Sequence, residues 1–317
     1  MSSRAPAGSA FFALRVLLTE DCNISCAFCH NEAQSGISSY SSLNNEGLRT
    51  LIKVGRQRSL RQVKFSGGEP TLHPMLPSLV EISVSSGMDT VVISNGTNIE
   101  PLKQVATLGA RISINIPSAS PETYRGLTGA DINRVLQTLA VLGEARAEIA
   151  VNSYAKLIPD PSNIISLLRL IEPYPCSLKL LLPCQIVSVE NQRAARAAYA
   201  AALVKLNFKH QMETPYDSRW NTPNGTSIRV VQPWCPTACK QVVDHYKSLR
   251  LAANTSLLPC FGGSSVAIPL DLSSDQSCAT ALDKALSITA NECRNVPGIR
   301  IIHRQHLIRA RQTKDEY

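Results

Sequence analysis

Long apolar runs are missing from this sequence, and none approaches the ~20 residues that a membrane helix needs. The opening segment, Met1 to Ala10, is small and polar with a single Arg4, and it lacks the apolar centre of an export signal. A cytoplasmic protein with a flexible start over residues 1–10 is therefore expected. Aromatic residues are scarce, at 5%, and none interleaves with the denser basic groups, Arg56, Arg58 and Arg61 and then Arg300, Arg304, Arg309 and Arg311. Those groups read as solvated helix faces, so neither nucleic acid nor membrane is expected as a partner. No internal repeat is visible.

Cysteine is plentiful, with 10 in 317 residues. Without an export signal these thiols point to metal ligation rather than disulfides, and the Asn-x-Thr/Ser matches at Asn23, Asn95, Asn224 and Asn254 carry no glycosylation meaning. The net charge of +8 favours anionic partners and is compatible with a charged small substrate. Three of the cysteines, Cys22, Cys26 and Cys29, share one short loop after the apolar run Phe11 to Leu18. Three thiolates can converge on one metal centre yet leave a coordination site open, because structural zinc and iron-sulfur cubes both normally take four ligands. A zinc knuckle completed by His30 is the competing reading.

The chain up to about residue 215 alternates short apolar strands with amphipathic helices, the pattern of βα units around a parallel sheet. Candidate strands are Phe11 to Leu18, Gln62 to Ser66, Thr90 to Ser94, Arg111 to Ile116, Glu148 to Asn152 and Leu178 to Leu182. Candidate helices are Asn44 to Val54, Leu76 to Ser86, Ile99 to Leu108, Ala130 to Gly143, Ser162 to Ile171 and Asn191 to Leu206. The expected fold is α/β, a partial (β/α)6 TIM-type barrel over 11–215, with Gln211 to Asn224 turn-rich and a C-terminal cysteine-rich auxiliary-cluster domain over 216–317.

In such barrels the loops after the strands build the site. The second strand runs into Ser66-Gly67-Gly68-Glu69-Pro70, the third into Ser94-Asn95-Gly96, and the fourth into Asn115-Ile116-Pro117. Each has a plainer reading as a turn. Taken with the cysteine loop, in which Phe28 precedes Cys29, these motifs resemble the radical S-adenosylmethionine (radical SAM) superfamily. The resemblance implies that Cys22, Cys26 and Cys29 hold a [4Fe-4S] cluster whose open iron binds SAM. It also implies that Gly67, Gly68 and Glu69 receive the SAM amino group, that Ser94 and Asn115 contact the cofactor, and that Phe28 packs near the adenine. Phe28 has a simpler reading as a core residue, and Pro117 stands where relatives carry an aspartate.

Cys235, Cys239 and Cys260, with Leu249 to Asn254 between them, resemble the second centre of the GTP 3',8-cyclase family. That likeness implies an auxiliary [4Fe-4S] cluster, with Cys278 or Cys293 as a possible fourth ligand; zinc is the alternative for this half. Cys176 and Cys184 read as buried apolar residues. Arg15, Lys64 and Arg250 match basic residues that grip an anionic, nucleotide-like substrate in that family. Gln62, Ala150 and Ser248 stand where relatives are basic, and the chain ends without the family's Gly-Gly tail, so a changed substrate is expected. The resemblance implies reductive SAM cleavage to a 5'-deoxyadenosyl radical, hydrogen abstraction from the substrate, and a flavodoxin- or ferredoxin-like electron donor. The rival readings are a radical SAM enzyme acting on a peptide or sugar, a zinc-stabilised nucleic-acid-binding module, and a non-catalytic electron carrier.

Overall fold

The structure is a computed structural model that describes residues 11–29, 41–156, 158–182, 189–214, 217–231, 246–258 and 267–287. Its elements follow in the order β1 (Phe11–Leu17), α1 (Asn45–Arg56), β2 (Leu60–Ser66), α2 (Leu76–Ser85), β3 (Asp89–Ser94), α3 (Ile99–Thr107), β4 (Arg111–Asn115), α4 (Pro121–Thr128), α5 (Ile132–Glu144), β5 (Ile149–Tyr154), α6 (Pro161–Ile171) and β6 (Cys176–Leu181). Then come α7 (Val189–Lys205), β7 (Lys209–Glu213), β8 (Asp217–Asn221), β9 (Ser227–Val231), β10 (Tyr246–Leu251), β11 (Ser256–Leu258), β12 (Ile268–Pro269) and α8 (Asp275–Ser287).

The strands form one sheet in the order β12-β11-β10-β1-β2-β3-β4-β5-β6-β9-β8-β7. From β10 across to β9 every pairing is parallel. The six expected βα units are therefore present, and each flank carries one further parallel strand, with antiparallel pairings beyond it. The segment Gln211 to Asn224, expected to be turns, instead completes β7 and forms β8, because Ser218 and Trp220 are buried against the sheet while Lys209 to Glu213 stay exposed along the edge. α4 is a second departure: Pro121 supplies its first turn, the Ser120 side chain accepts from Thr123 N, and Gly129 ends it in the left-handed region at φ 71°.

Alternation along the strands sorts their side chains. Leu14, Val16, Val63, Phe65, Val92, Ile112, Ile114, Val151, Leu178, Leu180, Ile228, Val230, Leu249 and Leu251 are buried in one continuous hydrophobic cluster with helix residues such as Leu48, Leu79, Leu102, Leu139 and Leu167. On the opposite, inner face the alternate positions carry cations. Arg15 lies in register with Arg250 on one side and Lys64 on the other, while Lys179 lies in register with Asn152 and Arg229. α8 packs on α1, where Arg58 makes a two-pronged pair with Asp283 at 2.6 and 2.7 Å and Lys53 pairs with Asp275. These exposed pairs position α8 but contribute little stability; the buried Leu282 and Ala285 anchor it.

Candidate active site

The cysteine loop leaves β1 and is held on three sides by backbone hydrogen bonds. Leu18 N donates to Ser66 O (2.8 Å), Gly68 N to Thr19 O (2.6 Å) and Glu69 N to Asp21 O (2.7 Å), which interlocks the loop with the glycine motif after β2. Further along, Ser25 N donates to Thr128 O (3.1 Å) and Ala27 N to Leu127 O (2.8 Å). The last carbonyls of a helix lack partners within it, and α4 spends two of them on this loop. Cys29 N closes the turn onto Cys26 O at 3.1 Å.

Both glycines are required by this contact. Gly67 sits at φ +143°, and a Cβ there would meet Thr19 O at 2.4 Å; a Cβ on Gly68 would lie 2.0 Å from Asp21 O. Next to them Glu69 is 1% exposed and serves as a bracket between loops. Its Oε1 accepts from Thr71 N (3.1 Å), Thr71 Oγ1 (2.6 Å) and Ser94 Oγ (2.8 Å), and its Oε2 accepts from Asn95 N (2.8 Å). Burial pushes the carboxyl above its ordinary range even though all four donors pull the other way. The Ser94 hydroxyl is likewise engaged, donating to Glu69 and accepting from Gly96 N at 3.0 Å. Both side chains thus shape the loop's backbone in this structure.

Asn95, read from the sequence only as part of a turn, has a larger place. Its Nδ2 donates to Asn23 Oδ1 (2.9 Å) and points at Cys22 Sγ from 3.8 Å, while its Oδ1 accepts from Thr97 N and Thr97 Oγ1 at 2.9 and 2.7 Å. Asn23 Nδ2 in turn donates to Thr97 Oγ1 (2.8 Å), and α5 braces the turn through Thr138 Oγ1 on Gly96 O (2.7 Å) and Arg134 Nε on Thr97 O (3.1 Å). Burial, aided by the charge of Glu69, raises the Cys22 thiol above its ordinary value against the pull of Ile24 N–H and Asn95.

The Phe28 ring stands 4.7 Å from that of Tyr154, tilted by 54°, across the carboxyl end of β5. Asn115 accepts from Asn152 Nδ2 at 3.1 Å, so the ends of β4 and β5 present paired amides. Tyr154 and Asn152 carried no sequence signal beyond their place at a strand end. Deeper in, Lys179 is half-buried on the inner face, and burial together with the charges of Arg229, Arg111 and Lys64 pushes its ammonium down to about 8, with Glu148 opposing. Arg229 is held by Asp217, which also takes Thr214 Oγ1 at 2.6 Å. Behind the cysteine loop, the Tyr124 phenol is pushed up to about 12, chiefly by burial.

Cys278 is fully buried within the hydrophobic cluster, and burial pushes its thiol up to about 11. Cys176 is half-buried, with its thiol pushed up to about 12. His30, Cys184, Cys235, Cys239, Cys260 and Cys293 lie outside the described residues.

The loop's donor set fits an iron-sulfur cube. Cys22, Cys26 and Cys29 form no disulfide and are each partly accessible, on a backbone fixed from three directions. Among the described residues no three His, Cys, Asp or Glu side chains converge as they would on a single ion. A cube offers a different iron to each thiolate, so its ligands stand further apart than those of one zinc. No helix among the described residues is long and apolar enough to cross a membrane.

Comparison with known proteins agrees with this geometry. Residues 16–157 match the Radical SAM superfamily. A probable GTP 3',8-cyclase of Thermococcus kodakarensis is 32% identical over 120 residues, which span 37% of this chain and 39% of that protein. Another probable GTP 3',8-cyclase, from Methanosarcina acetivorans, is 25% identical over 277 residues, covering 80% of this chain and 79% of its own. Among solved structures, Streptococcus suis SuiB bound to precursor peptide SuiA superposes with a TM-score of 0.66 at 11% identity, covering 91% of this chain and 67% of that one. Native anSMEcpe with bound AdoMet superposes at 0.57 and 11% identity, covering 90% and 82%. The chain is thus similar over residues 16–157 to the Radical SAM superfamily, and its relatives in sequence include probable GTP 3',8-cyclases.

Proposed function

We propose that this protein is a radical SAM enzyme that acts on an anionic, nucleotide-like small molecule in the manner of the GTP 3',8-cyclases. The observation that carries the reading is the interlock of the cysteine loop with Gly67-Gly68-Glu69 above an inner wall bearing Arg15, Lys64, Lys179, Arg229 and Arg250. When bound, the cluster and SAM supply one-electron cleavage to a 5'-deoxyadenosyl radical that abstracts hydrogen from the substrate.

In this reading Cys22, Cys26 and Cys29 are the cluster ligands, and Gly67 and Gly68 bring bare backbone to the SAM amino group. Phe28 and Tyr154 offer aromatic surface for the adenine, while Asn115 and Asn152 offer amides at the ends of their strands. The cations of the inner wall hold the substrate's anionic group by charge-assisted contacts. Cys235, Cys239 and Cys260 are proposed to ligate the auxiliary cluster. A ligating thiol must lose its proton, and the core position of Cys278 disfavours it as a fourth ligand. The electron donor is proposed to be a flavodoxin- or ferredoxin-type protein.

Deoxyadenosine formation from SAM under a strong reductant, with and without GTP, tests the substrate class. Stimulation by GTP supports a cyclase-like reaction; cleavage indifferent to GTP and to other nucleotides argues against a nucleotide substrate. Within the same assay Lys179→Met is expected to weaken nucleotide binding about 10- to 100-fold. Lys179 binds an anion only when protonated, so wild-type affinity is expected to hold below pH 8 and to fall as pH rises through about 8. Affinity flat to pH 9.5 would remove Lys179 from the anion site.

A further inference from the structure

We propose that the Tyr124 hydroxyl donates a hydrogen bond to the Cys26 sulfur when the loop carries its cluster, which makes Tyr124 a positioning residue that sets the cluster's reduction potential. The proposal rests on the radical SAM reading given above.

Tyr124 is 0% exposed, and its hydroxyl has no partner in hydrogen-bonding geometry among the described residues. A buried polar group without a partner is costly and uncommon in a native protein. Phenylalanine would occupy the same volume without that cost, so the hydroxyl calls for a partner in another state of the molecule. The neighbouring Thr128 Oγ1 stands near enough to ease ionisation of the phenol but lies outside hydrogen-bonding geometry with it; it donates to the Tyr124 carbonyl at 2.8 Å and accepts from Ala130 N at 3.2 Å. Cys26 is close enough for its charge to oppose ionisation of the phenol. Phenol and thiol also ride on one unit, because Ser25 N and Ala27 N, on either side of Cys26, are bonded to the last carbonyls of the helix that carries Tyr124. A hydrogen bond to a cluster sulfur offsets the negative charge gained on reduction and so raises the potential.

Tyr124→Phe in the full chain, reconstituted without oxygen, tests this by a redox titration followed by electron paramagnetic resonance. The expected result is a more negative midpoint potential at unchanged iron and sulfide content, with apo-protein melting no lower than wild type. Pulsed ENDOR on wild-type protein exchanged into D2O should show a deuteron coupled to the reduced cluster, and the variant should lack it. An unchanged potential with the same deuteron coupling in both proteins would overturn the proposal. A lower apo melting point would also overturn it, since the hydroxyl would then have a structural partner. If wild-type protein takes up no cluster, the radical SAM reading fails first, before any variant is compared, and the proposal falls with it.

Discussion

Gly68→Ala is expected to bring iron uptake on anaerobic reconstitution close to background and to weaken SAM binding about 100-fold. The new methyl would lie 2.0 Å from Asp21 O, 2.5 Å from Asp21 C and 2.6 Å from Glu20 O. All three are backbone atoms, so no side-chain rotation relieves the clash. Relief requires the cysteine loop to move off the glycine motif, which sacrifices the Gly68 to Thr19 and Glu69 to Asp21 hydrogen bonds immediately before Cys22. Overpacking costs roughly 1–3 kcal/mol and each of the two lost hydrogen bonds about 1 kcal/mol, so the stated factor is the lower end of what they imply together. The barrel lies beneath this contact, so its melting temperature should fall far less than cofactor binding does. Gly126→Ala is the matched control: nothing stands within 4 Å of a Cβ there, and it lies inside α4. That change should leave iron and SAM binding intact and stabilise slightly, by about 0.5–1 kcal/mol. Equal behaviour of the two variants would remove the interlock from the account.

Glu69→Ala should destabilise the protein by ~3 kcal/mol or more and should also abolish SAM binding. Four donors converge on this carboxylate, from Thr71 N, Thr71 Oγ1, Ser94 Oγ and Asn95 N, and alanine leaves them facing one another in a site closed to water. Glu69→Gln keeps the oxygen that serves Thr71 and Ser94 but sets an amide N–H₂ against Asn95 N, so a smaller loss of roughly 1–3 kcal/mol is expected. Denaturant melts of the apo protein order the three proteins. If both variants melted like wild type while SAM binding alone was lost, Glu69 would be a cofactor contact and not the bracket between the loops.

The first two thirds of the fold could be read in the sequence because its chemistry is local. Alternating apolar residues mark β1 to β6 within a few residues, and each motif sits where one of these strands ends. α4 is not among the expected helices: its short span holds both Pro121 and Gly126, although one is a helix start and the other an exposed mid-helix position. The flanking strands β9 and β10 pair with β6 and β1 across long stretches of chain, so that of their inward cations Arg250 is legible only through the family resemblance and Arg229 carries no sequence signal. In a barrel with a polar interior, charge at alternate positions marks the inner wall, a distinction that composition cannot make.

The same division holds at the site. Cysteine spacing and paired glycines are legible as words, and the structure accounts for the glycines by what a Cβ would strike. The residues that arrange them, Asn95, Thr97, Asn152, Tyr154 and Tyr124, come from separate strands, turns and helices and meet only after folding. Lys179 belongs with them, since its lowered ammonium depends on burial and then on the charges of Arg229, Arg111 and Lys64 from three other strands.

The most direct test of the central claim is deoxyadenosine formation from SAM by protein reconstituted without oxygen, with Cys22→Ala beside wild type and iron and sulfide measured on both. Wild-type protein should bind iron and sulfide and cleave SAM, and Cys22→Ala should form no deoxyadenosine. Deoxyadenosine production by Cys22→Ala at the wild-type rate, or wild-type protein that holds zinc without iron and leaves SAM intact, would contradict the account.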